Sequence, residues 1–205
     1  PNAIAIEPTG NLVVAGQCEM PATGADFCMV RIDSFGTLDG GFGLSGWVTT
    51  SVSPANADSA NAVVLEPGGR IILGGPCDYA TVTGVNFCLA RFSANGELDP
   101  TFGCAGIVIT KRSTYDDIPR ALVLQPDGKI LVAGSCSDTF CLARYNANGV
   151  LDATFGSSGT VIVFSGGTNI GRALALLHDG RIVIAGECFF GGWDFCLSRL
   201  SANGA

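Results

Sequence analysis

Three observations predict an all-β fold, a β-propeller built from four-stranded antiparallel blades. One sequence block recurs about four times, each full copy divides into four short strand-like runs, and those runs are apolar on both faces. The recurrence is plain when the copies are aligned on a glycine turn: PTGNLVVAGQC (8–18), PGGRIILGGPC (67–77), PDGKILVAGSC (126–136) and HDGRIVIAGEC (178–188). A second block follows each: FCMVRIDSFGTLDGGFG (27–43), FCLARFSANGELDPTFG (87–103), FCLARYNANGVLDATFG (140–156) and FCLSRLSANGA (195–205). The first cysteines of the copies, Cys18, Cys77, Cys136 and Cys188, stand 59, 59 and 52 residues apart.

The third copy gives the expected strand order. Residues 120–125 form an apolar, β-prone run, Pro126-Asp127-Gly128 a turn, and 129–135 a second run. Residues 140–145 form a third, ended by Asn146-Ala147-Asn148-Gly149, residue types that tolerate positive φ. Residues 151–155 and then 160–164 are expected to make the fourth. Ile130, Leu131, Val132 and Ala133 are apolar without alternation, as suits a sheet packed on both faces. The repeats fall near 1–53, 54–112, 113–165 and 166–205, within a single domain. The chain opens on a first strand and ends after a third, so the last blade is incomplete and its LDxTFG segment is missing. Pro1 without a preceding Met reads as a processed or cut end. A four-blade ring and a portion of a propeller of about six to eight blades both fit this pattern.

The PDGKILVAG, FCLARYNANG and LDATFGSSG blocks resemble the delta-60 repeats of bacterial β-propeller proteins, over essentially the whole chain. The blade order is also similar to NHL-type blades, where a P-D-G turn joins the first two strands. The resemblance implies a propeller in a secreted or surface protein and brings no shared catalytic residue. The paired cysteines depart from the family pattern.

Composition narrows the partners. Hydrophobic residues are 47% and charged residues 14%, which argues for an ordered protein with much buried surface. The net charge is −7 and lysine occurs only at Lys111 and Lys129, so no basic patch for nucleic acid is present. No apolar run approaches the roughly 20 residues of a membrane-spanning helix, so no membrane insertion is expected.

Eight of the nine cysteines pair by repeat: Cys18/Cys28, Cys77/Cys88, Cys136/Cys141 and Cys188/Cys196. Their separations are 10, 11, 5 and 8, so the pair persists while the insert varies. Two residues facing each other across a hairpin would behave so. Four structural disulfides between second and third strands are predicted, in preference to metal ligation, and no cofactor is expected. They imply an oxidising setting: secreted, cell surface or periplasm. Cys104 is left over. Its counterparts are Leu44 and Ser157, and it is expected to be a small buried hydrophobe, with an intermolecular link as the alternative.

Arg31/Asp39, Arg91/Asp99 and Arg144/Asp152 recur eight residues apart across the Asn-Gly turn, and Arg199 continues the series. They read as structural ion pairs fixing that turn; a ring of these arginines around a central anion is the alternative. Enzyme signatures are thin. His178 is the only histidine, and no Gly-x-Ser-x-Gly elbow, HExxH or P-loop occurs, so no catalytic residue is assigned. Asp116-Asp117, the one candidate carboxylate pair, reads as a loop.

Variation among the copies says more. The PDG and Asn-Gly turns hardly change, whereas the inserts between the cysteines and the connections between blades (51–60, 111–119, 165–172) differ widely. In a propeller these two variable classes share one end, and loops on a rigid scaffold are where binding resides. The variable segments hold Tyr79, Tyr115, Asp116, Asp117 and Trp193, the candidate ligand-binding residues, with Phe189 and Phe190 beside them. Aromatics with carboxylates suit a sugar or protein partner. The leading reading is a secreted or surface non-enzymatic binding or adhesion module for a glycan or protein. The alternatives are a structural spacer or filament subunit that self-associates as a homo-oligomer or array, and a hydrolase or lyase whose site is completed by sequence outside this chain.

Overall fold

The computed structural model describes residues 1–53, 57–78, 84–112, 115–164 and 168–205. Four antiparallel sheets follow one another along the chain. Blade 1 holds β1 (Ala3–Ile6), β2 (Leu12–Met20), β3 (Gly24–Ile32) and β4 (Trp47–Thr50). Blade 2 holds β5 (Ala62–Leu65), β6 (Ile71–Cys77), β7 (Asn86–Phe92) and β8 (Ile107–Thr110). Blade 3 holds β9 (Asp117–Leu124), β10 (Ile130–Cys136), β11 (Thr139–Tyr145) and β12 (Thr160–Phe164), and blade 4 holds β13 (Asn169–Leu176), β14 (Ile182–Phe189) and β15 (Trp193–Leu200). Within each blade the strands pair in chain order, and the last blade stops at three. The architecture is that of a β-propeller with its final blade short. One expectation fails in detail: residues 151–155 add no length to the fourth strand. Leu151 makes a single bridge to Tyr145, and Gly156 and Gly159, at φ 50° and 94°, turn the chain before β12 begins.

The unalternating apolar runs are explained by the stacking. β9 packs on β5, β6 and β7 of one neighbour, and β13 on β9, β10 and β11. Ile130 and Val132 enter the core shared with blade 2, while Leu131 and Ala133 enter the core shared with blade 4. A period-2 strand therefore feeds two cores at once, and every position must be apolar. Three such cores exist among the described residues, joining blades 1–2, 2–3 and 3–4. None joins blade 4 to blade 1. Ile4, Ile6 and Trp47 on one side, and Phe195 and Leu197 on the other, are exposed. The described blades thus form an open arc with two uncovered faces.

The repeated Arg–Asp pairs lock each blade to the next. Arg31 Nε donates to Asp39 Oδ2 at 2.8 Å, and its Nη1 donates to Ala94 O of blade 2 at 2.7 Å. Arg91 pairs with Asp99 and donates to Ala147 O of blade 3; Arg144 pairs with Asp152 at 2.8 Å and donates to Ala202 O of blade 4 at 2.7 Å. Each guanidinium lies over a phenylalanine of its own LDxxFG segment: Phe42, Phe102 and Phe155, at 4.5, 4.6 and 4.5 Å. The segment then clasps the neighbouring Asn-Gly turn, with Gly43 N donating to Asn95 O, Gly103 N to Asn148 O and Gly156 N to Asn203 O. The turn glycine is required here. Gly149 has φ 85°, and a Cβ on it would stand 2.7 Å from Val108 and 3.0 Å from Phe102.

All four disulfides form: Cys18–Cys28, Cys77–Cys88, Cys136–Cys141 and Cys188–Cys196, with Cα–Cα separations of 5.5, 5.9, 5.8 and 5.8 Å. Their placement corrects the sequence reading, in which the two cysteines of a pair face each other across the hairpin. Cys18 lies opposite Asp26 and Cys28 opposite Gly16. Likewise Cys77 lies opposite Asn86 and Cys88 opposite Gly75, and the same offset of two recurs in blades 3 and 4. Both cysteines of a pair share a sheet face, and strand twist shortens the diagonal between them to disulfide range. That face is the one turned to the preceding blade. Cys77 and Cys88 are fully buried in the core between blades 1 and 2, Cys136 and Cys141 lie in the next core, and Cys188 and Cys196 in the third.

The residue opposite the second cysteine is glycine because the chain entering the blade passes over it. A Cβ on Gly134, opposite Cys141, would meet Ile118 O at 2.0 Å. Four disulfides point to an oxidising compartment. Among the described residues no helix is long and apolar enough to cross a membrane. Cys104 is a second correction: it is a free thiol and exposed, because Phe102 and not Cys104 fills the interior of its loop.

Candidate functional site

The two variable loop classes meet at one end of the arc, and a backbone hydrogen bond ties them together at each junction. Asp58 N donates to Ala25 O at 2.6 Å, Asp117 N to Val85 O at 2.9 Å and Asn169 N to Asp138 O at 2.7 Å. The side chains at these positions organise the connections. Asp58 is fully buried; its Oδ2 accepts from Val52 N and Ser53 N, both at 2.8 Å, and its Oδ1 accepts from the Ser53 hydroxyl at 2.6 Å. Asp117 is equally buried and accepts from Arg112 N at 2.6 Å. Burial pushes the Asp58 carboxyl above the ordinary range, against the Ser53 and Val52 hydrogen bonds that pull it down. Asp58, Asp117 and Asn169 are 59 and 52 residues apart, the spacing of the cysteines, so the recurrence was available in the sequence.

The candidate ligand residues separate on this frame. Tyr79 lies outside the described residues. Tyr115 and Asp116 are exposed on the connection from blade 2 to blade 3, and Asp116 Oδ1 accepts from Val85 N at 3.1 Å. Asp117, next in the chain, points the other way into the protein and is withdrawn from the surface; the adjacent carboxylates do not form a pair open to solvent. Trp193 stands on the tip of the β14–β15 hairpin of blade 4, so blade 3 intervenes between it and Tyr115. Trp193 is 53% exposed and meets Phe189 edge-on, ring centroids 5.6 Å apart at 69°. Phe190, between them in the tip, is 67% exposed. The tip is carried on the Cys188–Cys196 disulfide immediately below it. It is an aromatic patch on a cross-linked two-stranded post, held open by Gly191 and Gly192, around which a Cβ would meet nothing. The insert of blade 1 rises in the same way above Cys18–Cys28, so this disulfide too braces the base of a variable loop. Among the described residues no group of three or more His, Cys, Asp or Glu side chains is placed to hold a metal.

The comparisons with known proteins agree with the architecture. A sequence model described as a β-propeller domain of unknown function, DUF5122, matches residues 67–102, 125–155 and 178–205, which supports a β-propeller repeat family. No curated protein matches the chain. Among solved structures the chain is similar to a proposed glycosidase from Bacteroides thetaiotaomicron, at 13% identity and TM-score 0.50, covering 98% of this chain and 68% of that one. It is similar also to a proposed glycoside hydrolase from Bacteroides ovatus, at 9% identity and TM-score 0.50, covering 98% and 67%. A protein of unknown function from Bacteroides caccae aligns at 12% identity and TM-score 0.44, covering 99% and 78%. At their identities the first two likenesses concern the fold alone.

Proposed function

We propose that this chain is a secreted or cell-surface binding module, without catalysis of its own, that takes a glycan or protein ligand at its variable end. The observation carrying the reading is the exposed Phe189–Phe190–Trp193 tip. A soluble protein has little reason to keep three adjacent aromatics in water on a disulfide-braced hairpin, and such rings stack on sugar faces or fill pockets in a protein partner. The test is a glycan array together with a panel of surface proteins, probed with the wild type and with Trp193→Ala. Saturable binding that the variant weakens by about tenfold or more supports the reading. Absence of binding across both panels overturns it.

A second reading, a spacer or array subunit, is favoured by the uncovered blade faces. On the outer face of blade 1 a hollow of about 220 Å³ is lined by Val14, Val30, Trp47 and the Cys18–Cys28 disulfide. On this reading the chain self-associates through those faces, and sedimentation shows concentration-dependent assembly that Trp193→Ala leaves intact.

A further inference from the structure

A different set of residues recurs at the centre of the arc. Asn2, Asn61, Arg120 and Arg172 are spaced 59, 59 and 52 residues apart, each followed by alanine, so they occupy one repeat position at the head of the innermost strands. All four line a single axial cavity of about 570 Å³, within the size range of small-molecule sites. The two asparagines use an amide N–H to bind the next blade: Asn2 Nδ2 donates to Ala60 O at 3.2 Å, and Asn61 Nδ2 to Pro119 O at 3.0 Å. Arg172 is committed too, donating to both oxygens of Glu187 at 2.6 and 3.2 Å. Arg120 differs. Its Nε is buried and has no hydrogen-bond partner among the described residues. A buried guanidinium donor left unmet is costly, and such a group calls for an explanation. Burial and then the charge of Arg172 press the Arg120 guanidinium below its usual range, against the Glu187 carboxylate, which pulls it up without making up the difference.

The charge balance defines what fits. Among the described side chains acting on Arg120, the Arg172 guanidinium and the Glu187 carboxylate offset one another, which leaves the charge of Arg120 itself unbalanced in a chain whose net charge is −7. One anionic group neutralises it. Asn2 and Asn61 line the same cavity, and each side chain carries an amide oxygen that accepts hydrogen bonds and repels an oxyanion; Asn61 Oδ1 takes long ones, at 3.4 Å, from Asn2 Nδ2 and the Ser59 hydroxyl. A ligand that carries several hydroxyl donors beside its charge uses both kinds of group, which a sulfate ion, with no donor, does not.

We propose that the axial cavity is a binding site for a uronic-acid sugar, its carboxylate held by the fork of Arg120 and its hydroxyls by the Asn2 and Asn61 carbonyl oxygens. The site is separate from the aromatic tip and does not depend on it. The test follows the arginine Nε–Hε resonances of the full ¹⁵N-labelled chain during titration with sodium D-glucuronate, D-glucose or sodium acetate. Saturable movement of the Arg120 signal with glucuronate, absent with glucose and at least about tenfold weaker with acetate, is expected. Arg120→Gln, with its four disulfides verified by peptide mapping, abolishes glucuronate binding. Arg120→Lys, which keeps the charge and loses the fork, weakens it by about tenfold. Trp193→Ala leaves it unchanged. No saturable shift, an equal response to glucose, or acetate binding as tight as glucuronate overturns the proposal.

Discussion

β11 and β15 carry nearly the same sequence, TFCLARY and WDFCLSRL, yet live in different surroundings. Phe140 and Leu142 of β11 are fully buried, whereas their counterparts Phe195 and Leu197 of β15 are 76% and 57% exposed. Arg144 is clamped by Asp152, by a carbonyl of blade 4 and by the face of Phe155. Arg199, its counterpart, is exposed. A blade's residues are thus only half a structure. What makes the repeat stable is the next blade, which supplies both the apolar face and the Asn-Gly turn that the arginine grips.

This contrast can be broken by substitution. Phe140→Ala empties a fully packed position between blades 3 and 4 and is expected to cost about 3–5 kcal/mol in urea unfolding, whereas Phe195→Ala should change stability by under about 0.5 kcal/mol. Equal losses would mean that the two strands share one environment. Asp152→Asn leaves the Arg144 guanidinium without its carboxylate in a buried setting and is expected to cost about 3 kcal/mol by the same measurement, with Arg199→Ala nearly silent. Replacing Cys136 and Cys141 together by alanine should cost about 2 kcal/mol, since the loop they close is short.

The acid limb of stability sharpens the same comparison. The Thr154 hydroxyl and N–H, with Lys129 and Arg144, hold the Asp152 carboxyl well below the ordinary range, and Thr101 and Arg91 do the same for Asp99. A carboxyl depressed in the folded state stabilises above its unfolded pKa, near about 3.9, and that stabilisation is lost as pH falls through the folded value. Unfolding free energy should therefore decline below about pH 4, and more shallowly in Asp152→Asn than in the wild type. Parallel acid limbs would mean that the clasp carries no charge-dependent stability.

Much of this was legible in the chain. The four copies, the doubled apolar faces of 130–133 and the cysteine pairing each follow from a local rule, and each appears in the structure. The register of the pairs did not follow: that Cys88 faces Gly75 and reaches Cys77 on the diagonal depends on strand twist, which the spacing of letters does not carry. Other features depend on depth, which residue type does not encode. Asp116 and Asp117 are indistinguishable as letters, yet one faces water and the other caps a buried connection. Cys104 looked like a core residue because cysteine is so often buried, but the neighbouring Phe102 takes the interior. The recurrence of Asn2, Asn61, Arg120 and Arg172 is masked in the sequence because two residue types share one repeat position. Only the convergence of the inner strands shows that they share a cavity.

Hydrogen exchange tests the central claim, that a blade is completed by its neighbour, by comparing the amides of Thr139–Tyr145 with those of Trp193–Leu200 in one sample. β11 is paired on both edges and β15 on one. The account predicts uniform protection along β11 and an alternation along β15, with the amides that point away from β14 exchanging rapidly. Equal and uniform protection of both strands would contradict it.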